Sequence, residues 1–153
     1  MTQSSITPYP PFQILPASWH DLGSVRRVEQ ECFGEDAWPL LDILATLSWP
    51  GVVRLKALVG QEVTAFAAAE VKGDERIGWI NTIGVLKAFR RLGIGAALLG
   101  DCEKQLAVKR VRLCVRQSNL GALVLYWNTG YHQVDVWKHY YGTEDALVME
   151  KTF

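Results

Sequence analysis

The sequence predicts one α/β domain built on a mixed sheet, and three observations support that prediction. The chain has 153 residues, which is about the length of a single domain. Apolar residues make up 49% of it, enough for a packed core, yet no apolar run approaches the ~18 residues of a membrane helix. Hydrophobic periods of two and 3.6 residues follow one another in the order β-α-α-β-β-β-α-β-α-β-β, which indicates a mixed sheet flanked by helices.

In the first half of the chain, helical spacing predicts two helices among four strands. Apolar side chains recur every three or four residues over residues 19–33, and Pro39 suits the first turn of a second helix that ends before Pro50-Gly51. Runs rich in β-branched residues separated by turn residues predict the strands. These strands span residues 12–15, 52–59, 63–71 and 77–85.

In the second half of the chain, predicted helices and strands alternate again. Apolar residues at helical spacing predict helices over residues 93–108 and 120–128, the second capped at its C-terminus by Gly130. The intervening and closing runs predict strands, and the last two of these flank a polar loop over residues 138–145. The three strands span residues 110–115, 131–137 and 146–151.

Composition also limits the location and the partners of the protein. Residues 1–11 lack the basic start and apolar core of a signal peptide, so we expect a flexible lead-in to a cytoplasmic domain over residues 12–153. The 16 basic and 16 acidic residues cancel, which argues against a nucleic-acid partner, and the short apolar runs argue against a membrane. The three cysteines, Cys32, Cys102 and Cys114, have no metal-binding or disulfide spacing, so we expect no metal.

The segment between residues 83 and 99 carries the strongest chemical signal. A predicted strand ends at Val85, and the pattern Arg90-x-x-Gly93-x-Gly95-Ala96 then opens a helix. Glycines let a ligand approach the backbone closely, and the free N–H groups and positive dipole end of a helix attract phosphate. With Arg90 and Arg91 beside them, these groups are suited to a pyrophosphate.

Two common phosphate-binding motifs do not fit this segment. A P-loop needs Lys-Ser/Thr after its last glycine, where this chain has Ala96-Ala97. A dinucleotide fingerprint needs Gly or Ala at the position of Leu98 and an acidic residue after the next strand. Taken alone, the segment is therefore equally consistent with a dianion site and with a helix start whose glycines and solvated arginines bind no ligand.

A second block follows at a fixed distance and includes Asn119, Ala122, Leu125-Tyr126 and Gly130-Tyr131. Together the two blocks resemble the GNAT acetyltransferase superfamily, and residues 113–119 resemble those of bacterial ribosomal-protein alanine N-acetyltransferases. The resemblance spans residues 19–151. It implies a single-domain GNAT fold, with a mixed, splayed central sheet flanked by helices and acetyl-CoA inserted between the strands at 77–85 and 110–115.

The same resemblance implies the roles of individual residues. The Val85 N–H would stabilise the developing oxyanion, and Tyr126 would be the general acid. A phenol of pKa ~10 keeps its proton at neutral pH and can give it to a thiolate of pKa ~8.5. The implied cofactor-binding residues are Ile83, Val85, Arg90, Arg91, Leu92, Gly93, Ile94, Gly95, Ala96, Asn119 and Tyr126.

The acceptor side is less completely specified. By the resemblance, Tyr140, Tyr141 and Glu35 would bind the acceptor, with Asp36 beside Glu35 also available to attract its ammonium group. An extended backbone would let at most one of the adjacent tyrosines face the pocket. Cys114 stands where the relatives carry a catalytic glutamate, so the general base is open. The candidates are Glu70, His132, His139 and a tyrosine acting through water.

These expectations favour an acetyl-CoA-dependent N-acetyltransferase acting on the N-terminal α-amine of a protein, such as a ribosomal protein. An α-amine of pKa ~8 is partly neutral at cytosolic pH, whereas lysine at ~10.4 is almost wholly charged, so an enzyme without a strong base is better suited to the α-amine. Two alternatives stay open: a small-molecule amine acetyltransferase, and a non-catalytic acyl-CoA-binding module.

Overall fold

Residues 11–153, which are those that the computed structural model describes, form seven strands and four helices in the predicted order. The lead-in predicted over residues 1–11 lies outside the described residues except for residue 11. The strands are β1 (Gln13–Pro16), β2 (Val53–Val59), β3 (Glu62–Lys72), β4 (Ile77–Val85), β5 (Arg110–Arg116), β6 (His132–Trp137) and β7 (Ala146–Thr152). The helices are α1 (Leu22–Phe33), α2 (Leu40–Ser48), α3 (Ile94–Leu106) and α4 (Leu120–Asn128).

The predicted element boundaries differ from the observed ones mainly at helix starts. The helix expected from residue 19 begins at Leu22, because Trp19–Asp21 forms a 3-10 turn. Asp21 Oδ2 accepts a hydrogen bond from the Ser18 N–H at 2.9 Å, which fixes that turn ahead of α1. No helix in the described part of the chain combines the length and the apolar character needed to cross a membrane.

The sheet has the strand order β1-β2-β3-β4-β5-β7-β6, and only β4 and β5 are parallel neighbours. Their pairing is short: it runs from Gly78 opposite Val111 to Ile80 opposite Leu113. Beyond Ile80 the last five residues of β4 have no partner on β5. The sheet is therefore splayed at its centre, which confirms the predicted fold class.

A β-bulge in β4 marks the point where the two strands separate. Ala68 of β3 pairs with Thr82 and Ala69 pairs with Ile80, so Asn81 is an extra residue without a partner on β3. A bulge bends its strand and increases the local twist. The bulge therefore accounts for the divergence of β4 from β5.

Two helical layers cover the sheet, and the alanine-rich strand β3 lies between them. Ala65, Ala67 and Ala69 belong to the core under α3 and α4, whereas Phe66 and Ala68 face α1 and α2. These alternate faces follow the two-residue period of a strand. Small side chains let both layers approach the sheet closely, so the open end of β4 lies beside the C-terminal turns of α1.

Candidate active site

The open end of the sheet between β4 and β5 holds a cavity of about 560 Å³, which is within the range of small-molecule sites. Side chains of β4 and β5 line one side of it, the end of α1 and the loop that follows line another, and the loop after β6 lines a third. Gly84 allows this arrangement, because a Cβ there would lie only 3.0 Å from Cys32 Sγ. The sheet and α1 therefore meet closely at the cavity.

The backbone of β4 presents polar groups to the gap. Leu86 N–H donates to the Thr64 carbonyl at 2.9 Å. Because hydrogen bonds alternate along an antiparallel ladder, Val85 and Ile83 turn their N–H and C=O groups away from β3 and toward β5. The side chain of Ile83 lines the cavity, and that of Val85 packs toward α3. The Val85 N–H, which was predicted to stabilise the oxyanion, therefore faces the gap, and so do the backbone groups of Ile83.

The predicted pyrophosphate loop lies at the start of α3, outside the cavity lining. Gly93 has φ +84°, a left-handed conformation that favours glycine, and Ala97 N–H donates to the Gly93 carbonyl at 3.1 Å. The N–H groups of Ile94, Gly95 and Ala96 precede that first intrahelical bond and have no carbonyl partner in the helix. This end of α3 is therefore suited to bind an anion.

The other residues of this loop differ from one another in burial and in the groups that they contact. The Arg90 Nε donates to the Val85 carbonyl at 2.9 Å, so this guanidinium folds toward the end of β4. Arg91 is exposed and has φ +63°. Leu92 is half-buried against the core, and a Cβ at Gly95 would lie 3.2 Å from Leu125 Cδ2. Glycine at position 95 therefore lets α3 pack closely on α4.

Asn119 and Tyr126 lie on α4 two turns apart, and both line the cavity. Asn119 Oδ1 accepts a hydrogen bond from the Ala122 N–H at 3.2 Å and so caps the helix. Tyr126 is 5% exposed, and burial is the main reason that its pKa is raised. The Tyr126 hydroxyl therefore keeps its proton at neutral pH and can donate it to a leaving group.

Four aromatic rings follow one another along one side of the cavity. Trp79 stacks on Trp137 with ring centroids 5.8 Å apart, Trp137 lies 5.5 Å from Tyr140, and Tyr140 meets Tyr141 edge-on at 4.9 Å. Both tyrosines line the cavity. On the extended backbone that was predicted, at most one of them would do so, but residues 138–144 form turns and bends, with Gly142 at φ +84°.

An ion-pair network joins three elements at the mouth of the cavity. Arg116 at the end of β5 donates to Asp36 Oδ2 at 2.6 Å and to Glu144 Oε2 at 2.9 Å. Its guanidinium also lies 4.4 Å from the centre of the Tyr141 ring. The Ser118 N–H donates to Glu144 Oε1 at 2.6 Å. We call these four side chains, Arg116, Asp36, Glu144 and Tyr141, the Arg116 network.

The structure does not place every predicted acceptor-side residue at the cavity. Glu35 is exposed and is not among the lining residues, whereas its neighbour Asp36 is. The 3-10 turn over Gly34–Asp36 decides which of the two carboxylates points inward. A single-residue difference of this kind depends on local turn geometry, which an acidic pair in a sequence does not reveal.

The residues that line the cavity reduce the number of candidates for the general base. Glu70, His132 and His139 do not line the cavity, and Glu70 Oε1 instead accepts from Asn81 Nδ2 at 3.1 Å. Cys114 does line it, but burial raises the pKa of its thiol to about 11. A thiol with that pKa is protonated at neutral pH, so Cys114 is unsuited to accept a proton.

Comparisons with known proteins agree with this geometry. The Acetyltransferase (GNAT) family matches residues 19–131. An N-alpha-acetyltransferase of Sulfolobus acidocaldarius is 38% identical over 153 residues and covers 90% of each chain. The crystal structure of the ribosomal-protein-S18-alanine N-acetyltransferase from Escherichia coli superposes with a TM-score of 0.82 over 93% of this chain and 94% of that one, at 24% identity. Arabidopsis thaliana NAA60 in complex with acetyl-CoA gives 0.83 over 94% and 100%, at 18% identity.

The chain belongs to the GNAT acetyltransferase family. It is an acetyl-CoA-dependent N-acetyltransferase, as the resemblance implied. The residues present fit acetyl-CoA, since the free N–H groups at the start of α3 suit its pyrophosphate and the backbone of Ile83 and Val85 suits its pantetheine arm. When bound there, acetyl-CoA supplies the activated acetyl group.

The loop before α3 gives a direct test of cofactor binding. We expect Gly93→Ala to weaken acetyl-CoA binding about tenfold, because a side chain in the left-handed conformation costs ~1–2 kcal/mol. Gly100→Ala is a matched control in the same helix, since Gly100 has open space around it and no positive φ. Calorimetric titration with acetyl-CoA measures both. Equal affinity of the two variants would show that the loop does not hold the pyrophosphate.

Proposed function

We propose that this enzyme transfers the acetyl group of acetyl-CoA to the N-terminal α-amine of a protein. The observation that carries the proposal is that one cavity joins the unpaired end of β4 to the aromatic side chains of Trp79, Trp137, Tyr140 and Tyr141. A peptide whose first residue enters this cavity brings its α-amine to the open end of β4. The names of the relatives, N-alpha-acetyltransferase and ribosomal-protein alanine N-acetyltransferase, support the same acceptor class.

The protein's own groups supply the steps of the transfer. The Val85 N–H faces the gap and can stabilise the oxyanion that develops as the amine attacks; a fixed backbone dipole does this without reorganisation. The Tyr126 hydroxyl keeps its proton and can pass it to the departing thiolate. Tyr140 and Tyr141 line the acceptor side and can hold the first residues of the peptide.

The chemistry of the cavity favours an α-amine over lysine. An α-amine has a pKa of ~8 and a lysine side chain one of ~10.4, so at neutral pH the neutral fraction of the α-amine is over a hundredfold larger. The cavity carries no glutamate on β5, where Cys114 stands instead. A carboxylate elsewhere in the cavity would take a proton more readily from an α-amine than from the more basic lysine, so the α-amine is the better-matched acceptor.

Matched peptides test the proposal. One peptide begins with Ala, has a free N-terminus and contains one internal lysine; its partner is identical except that the N-terminus is blocked. A polyamine completes the panel. With acetyl-CoA, we expect mass spectrometry to find acetyl only on the α-nitrogen of the first peptide. Products confined to lysine or to the polyamine would overturn the proposal and favour a different acceptor.

A ribosomal protein as the natural acceptor is part of the same proposal. Peptides that copy ribosomal-protein N-termini, varied at their first residue, measure this directly. We expect kcat/KM to depend on the first residue, because the aromatic wall is close to where its side chain enters. Uniform kcat/KM across first residues would argue against selection of one protein.

A further inference from the structure

Glu29 is a buried carboxylate that the sequence analysis did not single out. It lies in α1 and is 2% exposed, yet it lines the cavity. Thr82 Oγ1 donates to Glu29 Oε1 at 2.6 Å, and the Trp38 N–H donates to Oε2 at 3.5 Å. Within residues 11–153 no cationic side chain forms an ion pair with it. A buried carboxylate without a cation is costly, which suggests that a positively charged ligand approaches it.

Burial keeps the proton on four groups of the cavity lining, Cys32, Cys114, Tyr126 and Tyr141, so they are unsuited to act as the base. Burial raises the pKa of Cys32 and takes that of Cys114 to about 11. Burial likewise raises the pKa of Tyr126 and takes that of Tyr141 to about 12. Tyr140 is 55% exposed at the cavity mouth. A general base must be unprotonated near the working pH, which leaves the carboxylates.

Two carboxylates line the cavity, and the negative charge of one of them, Asp36, is already balanced by Arg116. It accepts from Arg116 Nε at 2.6 Å and belongs to the Arg116 network. Lys72, the other basic side chain that lines the cavity, forms an ion pair with Glu70, with its Nζ 3.3 Å from Glu70 Oε1. Glu29 is therefore the lining carboxylate that makes no ion pair in the described part of the chain.

We infer that Glu29 is the general base of this N-acetyltransferase, and that Thr82 is the positioning residue that holds its carboxylate in the cavity. The inference rests on the proposed function, since an α-ammonium group is the cation that Glu29 would meet. Burial also raises the pKa of Glu29, which brings it closer to that of the amine. Arg90, which lies near this end of α1, approaches Cys32 Sγ at 4.0 Å.

The proton balance of the transfer is complete with this assignment. Glu29 takes one proton from the ammonium group, and the freed lone pair forms the C–N bond to the acetyl carbon. The carbonyl electron pair moves to the oxygen that the Val85 N–H stabilises, and its return breaks the C–S bond. Tyr126 gives its proton to the sulfur and recovers one from the acylated nitrogen. Glu29 passes its proton to water, so each turnover releases one proton.

Glu29→Gln tests the inference, because glutamine keeps the shape and the Thr82 contact but cannot accept the proton. We expect kcat/KM on an α-amine peptide at pH 7 to fall about 100-fold, the usual scale of general-base catalysis. Its log should then rise with pH up to the amine pKa of ~8, because only the already neutral amine reacts. The wild type should instead reach its plateau at lower pH. Glu31→Gln, an exposed partner of Arg27 on the same helix, is the matched control and should leave both quantities unchanged.

Rates measured with a second acceptor distinguish a general base at position 29 from a residue with only a structural role. With a hydrazide, whose amine is already neutral at pH 7, we expect Glu29→Gln to approach the wild-type rate, and acetyl-CoA affinity to stay within twofold. Glu29→Asp keeps a carboxylate and should keep the wild-type pH dependence at a lower rate. This variant keeps the inference testable if the glutamine variant fails to fold. Equal losses on both acceptors, or no loss on either, would overturn the inference. Wild-type enzyme that acetylates no α-amine would instead overturn the proposed function.

Discussion

Tyr126→Phe is expected to lower kcat on a peptide acceptor by about 100- to 1,000-fold, the range that a positioned general acid contributes. The variant removes only the hydroxyl, whose proton is retained because burial raises the pKa of the phenol. The ring, which packs edge-on to Tyr131 with centroids 6.0 Å apart, stays in place. We therefore expect acetyl-CoA affinity to stay within twofold. Steady-state kinetics and calorimetric titration measure the two quantities.

Tyr131→Phe is the matched control for that variant. Tyr131 is as buried as Tyr126, at 3% exposed, but its hydroxyl bonds to Glu103 Oε2 at 3.1 Å, and Tyr131 does not line the cavity. We expect unchanged kcat and a loss of about 1–3 kcal/mol in the free energy of unfolding, as for a hydrogen bond to a charged group. A Tyr126→Phe enzyme with wild-type turnover would remove Tyr126 from the mechanism.

Arg116→Ala is expected to lower kcat/KM for a peptide by about ten- to 100-fold, because small displacements of positioning groups cost rate on that scale. Arg116 ties Asp36 and Glu144 to the end of β5 and packs on Tyr141. Without it, the loop after α1 and the loop after β6 lose their shared anchor. The effect should appear mainly as a higher KM for the peptide, with acetyl-CoA affinity preserved.

Arg110→Ala is the matched control on the same strand. Arg110 forms one exposed ion pair with Glu75, whose side chain is 74% exposed, and exposed pairs of this kind contribute little. Its kinetics should equal those of the wild type. If Arg116→Ala also matched the wild type in peptide KM, the Arg116 network would have no part in acceptor binding.

Most of the fold followed from periodicity in the sequence. The order of strands and helices and the position of the glycine-containing loop at the start of α3 are as predicted, because hydrophobic spacing and glycine position report local structure directly. The position of the site was harder to predict from the sequence. The gap depends on how soon β4 and β5 stop pairing after Ile80, and pairing between distant segments leaves no periodic signal.

The sequence around Glu29 explains why this residue was not predicted to be functional. In the sequence it belongs to an acidic stretch that ends at Asp36, which is typical of a solvated surface. The available signal was its spacing: Glu29 follows Val25 by four residues, and residues four apart share one helix face. Because Val25 is fully buried, the same face carries Glu29 into the core. The flexible lead-in and the cytoplasmic location stay predictions.

In the proposed function, acetyl-CoA and the α-amine of a peptide meet at the open end of β4. A bisubstrate analogue that joins coenzyme A to the α-nitrogen of an Ala-first peptide through an acetyl bridge tests it most directly. A second analogue carries the same bridge on a lysine side chain, and calorimetric titration compares both with acetyl-CoA. Because analogues of the transition state bind ~100-fold or more tightly than substrates, we expect the α-linked compound to bind far more tightly than the other two. Equal affinity for all three, or preference for the lysine-linked compound, would contradict the claim.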